Sequence, residues 1–164
     1  MSLLERAAVK RVVAALHQGN AAGAVRELSE TARTAADAAK ALGVAEGAIV
    51  KSLVFTVGDR FVLALIAGDH RCRADQLPRA FFLKGAVGKP DAELVRAVTG
   101  FTIGGVAPIG LPQPLPTVID ASLKRFETVY AAAGHPHCVF PATVAELKRL
   151  TGGLMSYAVA EPAK

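Results

Sequence analysis

The sequence predicts an α/β or α+β domain, with a mixed central sheet and helices packed around it. Three observations carry this expectation. Stretches rich in β-branched and aromatic residues alternate along the chain with stretches of helical apolar spacing. The two longest strand candidates, 48–57 and 60–66, meet at Gly58-Asp59, a favourable hairpin turn. The chain has 164 residues, 52% of them apolar, and a positive mean hydropathy, enough for a substantial core in one domain spanning 1–164.

The elements follow in order. Val9, Val12, Val13 and Leu16 recur at helical spacing, so 3–18 is a helix that stops before Gly19 and Asn20. "AVREL" (24–28) is a short strand. Thr34 can cap a helix over 35–42, with Asp37 at its third position and Gly43 beyond its end. After the hairpin, Asp75 opens a short helix toward "FFL" (81–83). "KPDAELVRAVTG" (89–100) has Pro90 near its first turn and Gly100 at its stop, the punctuation of a helix. "FTIGGVAPIGLPQPLP" (101–116) carries too many Gly and Pro residues to be a regular element. Then come a strand at 117–121, a helical turn at 122–126, and strands at 128–133 and 137–140. The helix at 143–150 has Thr143 and Glu146 as a capping box and Gly152 as its stop.

Composition narrows the function classes. The longest apolar run, 61–68, is far too short to span a bilayer, and the N-terminus reads as an amphipathic helix instead of a secretory signal. Cys72 and Cys138 form no metal-ligand or redox spacing, which fits a reducing cytoplasm. A net charge of +5 favours an anionic partner such as RNA, although enzymes of nucleotides and phosphates are often as basic. No repeat, low-complexity tract or linker interrupts the chain.

Two features call for a function. On the strand "AIVKSLVFTV" (48–57), alternation places Lys51 on one face with Ile49, Leu53, Phe55 and Val57, the more apolar face. A lysine among core residues needs a partner. A buried pair with Asp120 would supply one, and a ligand would supply another. The second feature is the loop at 101–116. Gly104, Gly105 and Gly110 permit close backbone approach, and Pro108, Pro112, Pro114 and Pro116 stiffen it. A stiff loop with bare N–H groups holds its donors in place for an anion or a carbonyl. The plain alternative is a surface connection between helix and strand.

"AIVKSLVF", "TGFTIGGVAPIGL" and "AAAGHPHCVFPATVAELKRLTGG" together resemble the YbaK-like family, free-standing relatives of the editing insertion of bacterial prolyl-tRNA synthetases. The resemblance runs from about Glu27 to Gly153. It implies an α/β fold around a mixed, barrel-like sheet, and hydrolysis in trans of the ester of a mischarged aminoacyl-tRNA, with no cofactor or metal. It also implies a site. The family's lysine falls on Lys51, and its Gly-x-x-x-Pro loop on Gly104, Gly105, Val106, Ala107 and Pro108. Its glycine near the last strand falls on Gly134, and a histidine of the synthetase insertion on His137, one residue out of register. Lys51, Gly104 and Gly105 are then the catalytic group. Thr34, Val106, Ala107, Pro108, Asp120, Gly134 and His137 border the substrate. The expected partners are the acceptor end of a mischarged tRNA and prolyl-tRNA synthetase, with no membrane, and the expected state is a cytoplasmic monomer.

An aminoacyl ester is already activated, so positioning can supply most of the catalysis. The amides of Gly104 and Gly105 would receive the carbonyl, and the vicinal ribose hydroxyl or the amino acid's own group would assist the water, since no protein base stands out. Cys138 beside His137 suggests a thiol nucleophile, but neighbours on a strand point to opposite faces, so a structural cysteine is the expected reading. His135 lies in a turn. His17 and His70 have no carboxylates or thiols near them in the sequence, so no metal site is expected. Lys51 in an apolar setting also suits a Schiff base. Arg71, Arg73, Arg79, Lys84, Lys89, Lys124 and Arg125 supply positive charge, a subset of it for an acceptor stem. A tRNA- or synthetase-binding module without hydrolysis uses the same features. The amino acid removed stays open among alanine, cysteine, serine and threonine.

Overall fold

The computed structural model describes residues 2–29 and 32–163. The expected mixed sheet is present, with eight strands. The long hairpin forms its middle: β2 (Ile49–Val57) pairs antiparallel with β3 (Arg60–Ala67) over their whole length. β3 is buried on both faces, with Val62 to Ala67 at 0% exposure, which is why "FVLALIA" reads as a continuous apolar run. The other members are β1 (Arg26–Glu27), β5 (Val87–Gly88), β6 (Thr117–Asp120), β7 (Val129–Ala132), β8 (Cys138–Ala142) and β9 (Leu154–Ser156). The ladder runs as an open path, β1-β8-β7-β2-β3-β6-β9, with β5 added on β2. The β2–β7, β3–β6 and β6–β9 pairs are parallel and the others antiparallel. A separate ribbon joins β4 (His70–Cys72) to β10 (Ala160–Pro162).

One face of the sheet carries Val50, Val54, Leu63, Leu65, Ile119, Ala131 and Phe140 into the main core. That core is closed by α1 (Ala7–Gln18), α4 (Ala92–Thr99), α5 (Val144–Thr151) and the Gly/Pro loop. The other face carries two smaller clusters. Ile49 and Tyr130 pack on α2 (Ala35–Leu42), and Phe55, Val57, Val62 and Ile66 pack with α3 (Leu77–Phe81). These are called the inner and outer faces below.

Several boundaries differ from the expectation. The first helix is two pieces: Ser2 caps a 3₁₀ turn at Leu3–Glu5, Arg6 is extended, and α1 starts at Ala7. Helix α4 begins after Asp91, whose carboxylate caps Leu94, so Pro90 lies just outside it. The capping box at Thr34 and Asp37 is complete. The one at Thr143 is half made, because the Glu146 carboxylate accepts from the Ala22 amide and pairs with Arg149. The strands β4, β5, β9 and β10 are two or three residues long, too short for a periodicity to reveal.

Candidate active site

The strand that opens the hairpin also opens the sheet. The Gly68 amide donates to the Ile49 carbonyl, so the odd-numbered residues of β2 direct their main-chain groups to β3 and the even-numbered ones to the opposite edge. That edge is taken by β7 only at Ile49 and Val50, and by β5 only at Thr56 and Val57. Between them no strand among the described residues takes the main-chain groups of Ser52 and Val54. A cleft of about 320 Å³ occupies this notch.

Because the notch passes through the sheet, the cleft has two walls. The outer wall is built from Ile49, Lys51 and Leu53 of β2, Tyr130 and Ala132 of β7, Val139 of β8, and Arg33, Thr34, Ala35 and Ala38 at the start of α2. The inner wall has Val50, Ser52 and Val54 of β2, Val95 of α4, and Ile103, Gly104 and Val106 of the loop. Lys89, Pro90 and Pro136 complete the lining. Three cations, Arg33, Lys51 and Lys89, border the cleft, and no aspartate, glutamate, histidine or cysteine does among the described residues.

Lys51 is half-buried on the outer face, between the α2 cluster and the α3 cluster. Its ammonium donates to the main-chain carbonyl of His70. It therefore has a backbone acceptor where a carboxylate was one expectation. Asp120 is 2% exposed and engaged elsewhere. Its carboxylate accepts from the Ala67 amide at 3.1 Å and the Ser122 amide at 2.9 Å, and lies 3.3 Å from His70 Nδ1. His70 thus links the two residues, by carbonyl to Lys51 and by ring to Asp120, and Asp120 stands outside the cleft.

The loop alternates. Gly104 and Val106 line the cleft, and their amides donate to no other described residue. Gly105 faces away. Its amide donates to the Thr102 carbonyl at 2.9 Å, and its carbonyl accepts from Gly134 at 3.0 Å. A Cβ on Gly105 would stand 2.9 Å from the His135 Cα, so this glycine permits two backbones to touch. The loop residues that line the cleft with unpartnered amides are therefore Gly104 and Val106, and the Gly105 amide is already engaged. Ala107 is buried, and Pro108 faces a second cavity of about 280 Å³ between α1, α5 and the loop.

The remaining expected residues support the loop from behind. Gly134 has φ +97°, and a Cβ there would meet the Ala8 carbonyl oxygen at 2.8 Å, under the first turn of α1. His135 Nδ1 accepts the His137 amide at 3.1 Å, and burial followed by the neighbouring His137 pulls the His135 ring below its usual pKa. His137 is outside the cleft, while Pro136 between the two histidines lines it. Cys138 points into the inner core at 0% exposure, and burial, then Glu27, pushes its thiol up to about 11. Thr34 caps α2 by accepting from the Asp37 amide, as expected, and it also lines the outer wall of the cleft. Thus Lys51, Gly104, Val106 and Thr34 come together, and Gly105, Ala107, Pro108, Asp120, Gly134 and His137 stand behind or apart. Sequence reasoning missed Ser52, Lys89, Tyr130 and Val95 as lining residues. Their signal was the open edge of β2, which depends on strands distant in sequence.

The model of the aminoacyl-tRNA editing domain family matches residues 29–150. A Bacillus subtilis protein, YwhH, which carries no assigned activity, is 34% identical over 82% of this chain and 85% of its own length. EbsC of Enterococcus faecalis, described as a candidate Cys-tRNA(Pro)/Cys-tRNA(Cys) deacylase, is 32% identical over 65% of this chain and 65% of its own length. A solved structure described as a candidate trans-editing enzyme for prolyl-tRNA synthetase is 38% identical. It superimposes with a TM-score of 0.87 over 92% of this chain and 96% of its own.

Proposed function

The chain belongs to the aminoacyl-tRNA editing domain family and is an aminoacyl-tRNA deacylase; we propose that it acts in trans on mischarged tRNA-Pro and does its chemistry in the β2 cleft. The observation that carries this reading is the two-walled notch: Lys51 and Arg33 on the outer side, loop residues with unpartnered amides on the inner side, and Lys89 at the border. The tRNA 3′ end fits that division. Its phosphates and ribose lie along Arg33, Lys51 and Lys89, where positive charge meets negative. Its acyl group lies against the inner wall, with the ester carbonyl on the amides of Gly104 and Val106.

The reaction adds water to the ester carbonyl carbon. The tetrahedral oxyanion is held by the two amides, the bond to the ribose oxygen breaks, and that oxygen takes a proton to leave as a hydroxyl. Loop amides fixed before the substrate arrives cost no reorganisation at that moment. Among the described residues no imidazole or carboxylate lines the cleft to take the water's proton. The vicinal hydroxyl of the terminal ribose is within the substrate itself and orients the water, leaving the protein to position. The same cations favour the neutral form of the substrate's α-amino group. Prolyl-tRNA synthetase is the partner this reading assigns, and the cytoplasm its location. Among the described residues no helix is long and apolar enough to cross a membrane.

Incubation with a panel of mischarged tRNAs, following loss of the ester, tests the reading. Multiple turnovers on at least one small aminoacyl-tRNA-Pro are expected. Tight tRNA binding without ester loss on any of them would leave a binding module in its place.

A further inference from the structure

The inner wall of the cleft holds one polar side chain, Ser52. It sits on the same face of β2 as Val50 and Val54, both core residues, and lines the cleft together with Val95 and Val106. Its Oγ is the single buried side-chain nitrogen or oxygen without a hydrogen-bond partner among the described residues. A hydroxyl left so costs on the order of 1–3 kcal/mol, and such an exception calls for an explanation. Alanine would fill the same place on the strand without that cost.

Resting on the deacylase reading above, we propose that Ser52 is the specificity-determining residue of the cleft: its hydroxyl hydrogen-bonds the side-chain hydroxyl of the acyl group, so that a seryl or threonyl ester is preferred over its apolar isostere. Three features select this partner. The inner wall is otherwise apolar in a cleft of about 320 Å³ that must also take the ribose, so the group that reaches it is small. Lys51, the adjacent residue, points to the opposite face, so its charge is turned away from an acidic side chain beside Ser52. Among the described residues no carboxylate lines the cleft, so a charged ammonium would lose its water without meeting one of them. A neutral hydroxyl is the group that satisfies Ser52 without bringing a charge. Since no bond holds the Ser52 hydroxyl in the free protein, turning to another staggered χ1 rotamer to meet the ligand forfeits none.

The consequence is discrimination by a polar contact. Apolar pockets distinguish by volume and reject an added hydroxyl weakly, whereas a site built to bond a hydroxyl rejects the analogue that lacks it. The test uses seryl and alanyl esters on the same tRNA-Pro, with the wild-type protein, Ser52→Ala and Ser52→Thr. In the wild type, kcat/KM for the seryl ester exceeds that for the alanyl ester by roughly ten- to a hundredfold. Ser52→Ala brings the ratio near one with its melting temperature held or raised, and Ser52→Thr, which keeps the hydroxyl, keeps a seryl preference. If the wild type cleaves the alanyl ester as well as the seryl ester, or Ser52→Ala leaves the ratio where it was, the assignment of Ser52 falls while the deacylase reading stands. If the wild type cleaves no aminoacyl ester, both fall.

Discussion

Lys51 shows how a single residue can have a structural contact and a chemical task that come apart on substitution. Its ammonium donates to the His70 carbonyl, while Asp120 keeps two amides and the His70 ring whatever happens to the lysine. Lys51→Met therefore strands no buried carboxylate. Stability is expected to stay within about 1 kcal/mol of the wild type, because a lost hydrogen bond is offset by relief of a partly desolvated charge. Deacylation is expected to fall about a hundredfold, the loss of about 3 kcal/mol of contact to the reacting end of the tRNA. Melting and single-turnover assays on one variant measure both. A drop of several kcal/mol with the residual folded protein fully active would make Lys51 structural alone. The cysteines give a second expectation at this scale. Burial leads the causes that raise both Cys72 and Cys138 to about 11. A thiol raised that far holds its proton at neutral pH and becomes thiolate only as the pH climbs toward that value. Neither should label with a thiol reagent at pH 7.5 until the protein is unfolded. Rapid labelling of native Cys138 with loss of activity would restore it as a nucleophile.

At the scale of elements, the Gly/Pro loop and the 134–137 turn form one unit, each supporting the other's backbone. Gly105→Ala is expected to push His135 away and lose about 1–3 kcal/mol, the range for overpacking, with activity falling alongside because Gly104 and Val106 move with it. A melting temperature unchanged by this substitution would mean that the two loops are not coupled. The elements also show what was legible. The hairpin, the complete Thr34 cap and the irregular 101–116 loop followed from local chemistry, which acts over a few residues, and the structure reproduces them. The faces of β2 were legible too, because alternation is local. What Lys51 meets was not, since His70 lies across a hairpin and a turn. Nor was Gly105's orientation, because in a loop nothing fixes alternate residues to alternate sides until Thr102 and Gly134 claim its main-chain groups. The open edge of β2 depends on where two short pairings stop, one of them parallel and distant in sequence.

For the whole molecule, a chain of net charge +5 with a cation-lined cleft should bind tRNA through its phosphates. Affinity is expected to fall steeply as salt rises from about 50 to 200 mM, through counterion release. A flat response in a filter-binding series would point to a small uncharged ligand. The central claim is that the notch in the sheet at β2 receives the acylated 3′ end. Its most direct test is an amide-resolved NMR titration with a 3′-amide-linked seryl-adenosine, which cannot be hydrolysed. Saturable shifts at Ser52, Val54, Gly104 and Val106 of the inner wall, together with Lys51 and Tyr130 of the outer wall, are the result expected. Shifts confined to Ile109, Gly110, Leu111 and Leu150, around the second cavity, would place the substrate on the wrong side of the loop and contradict it.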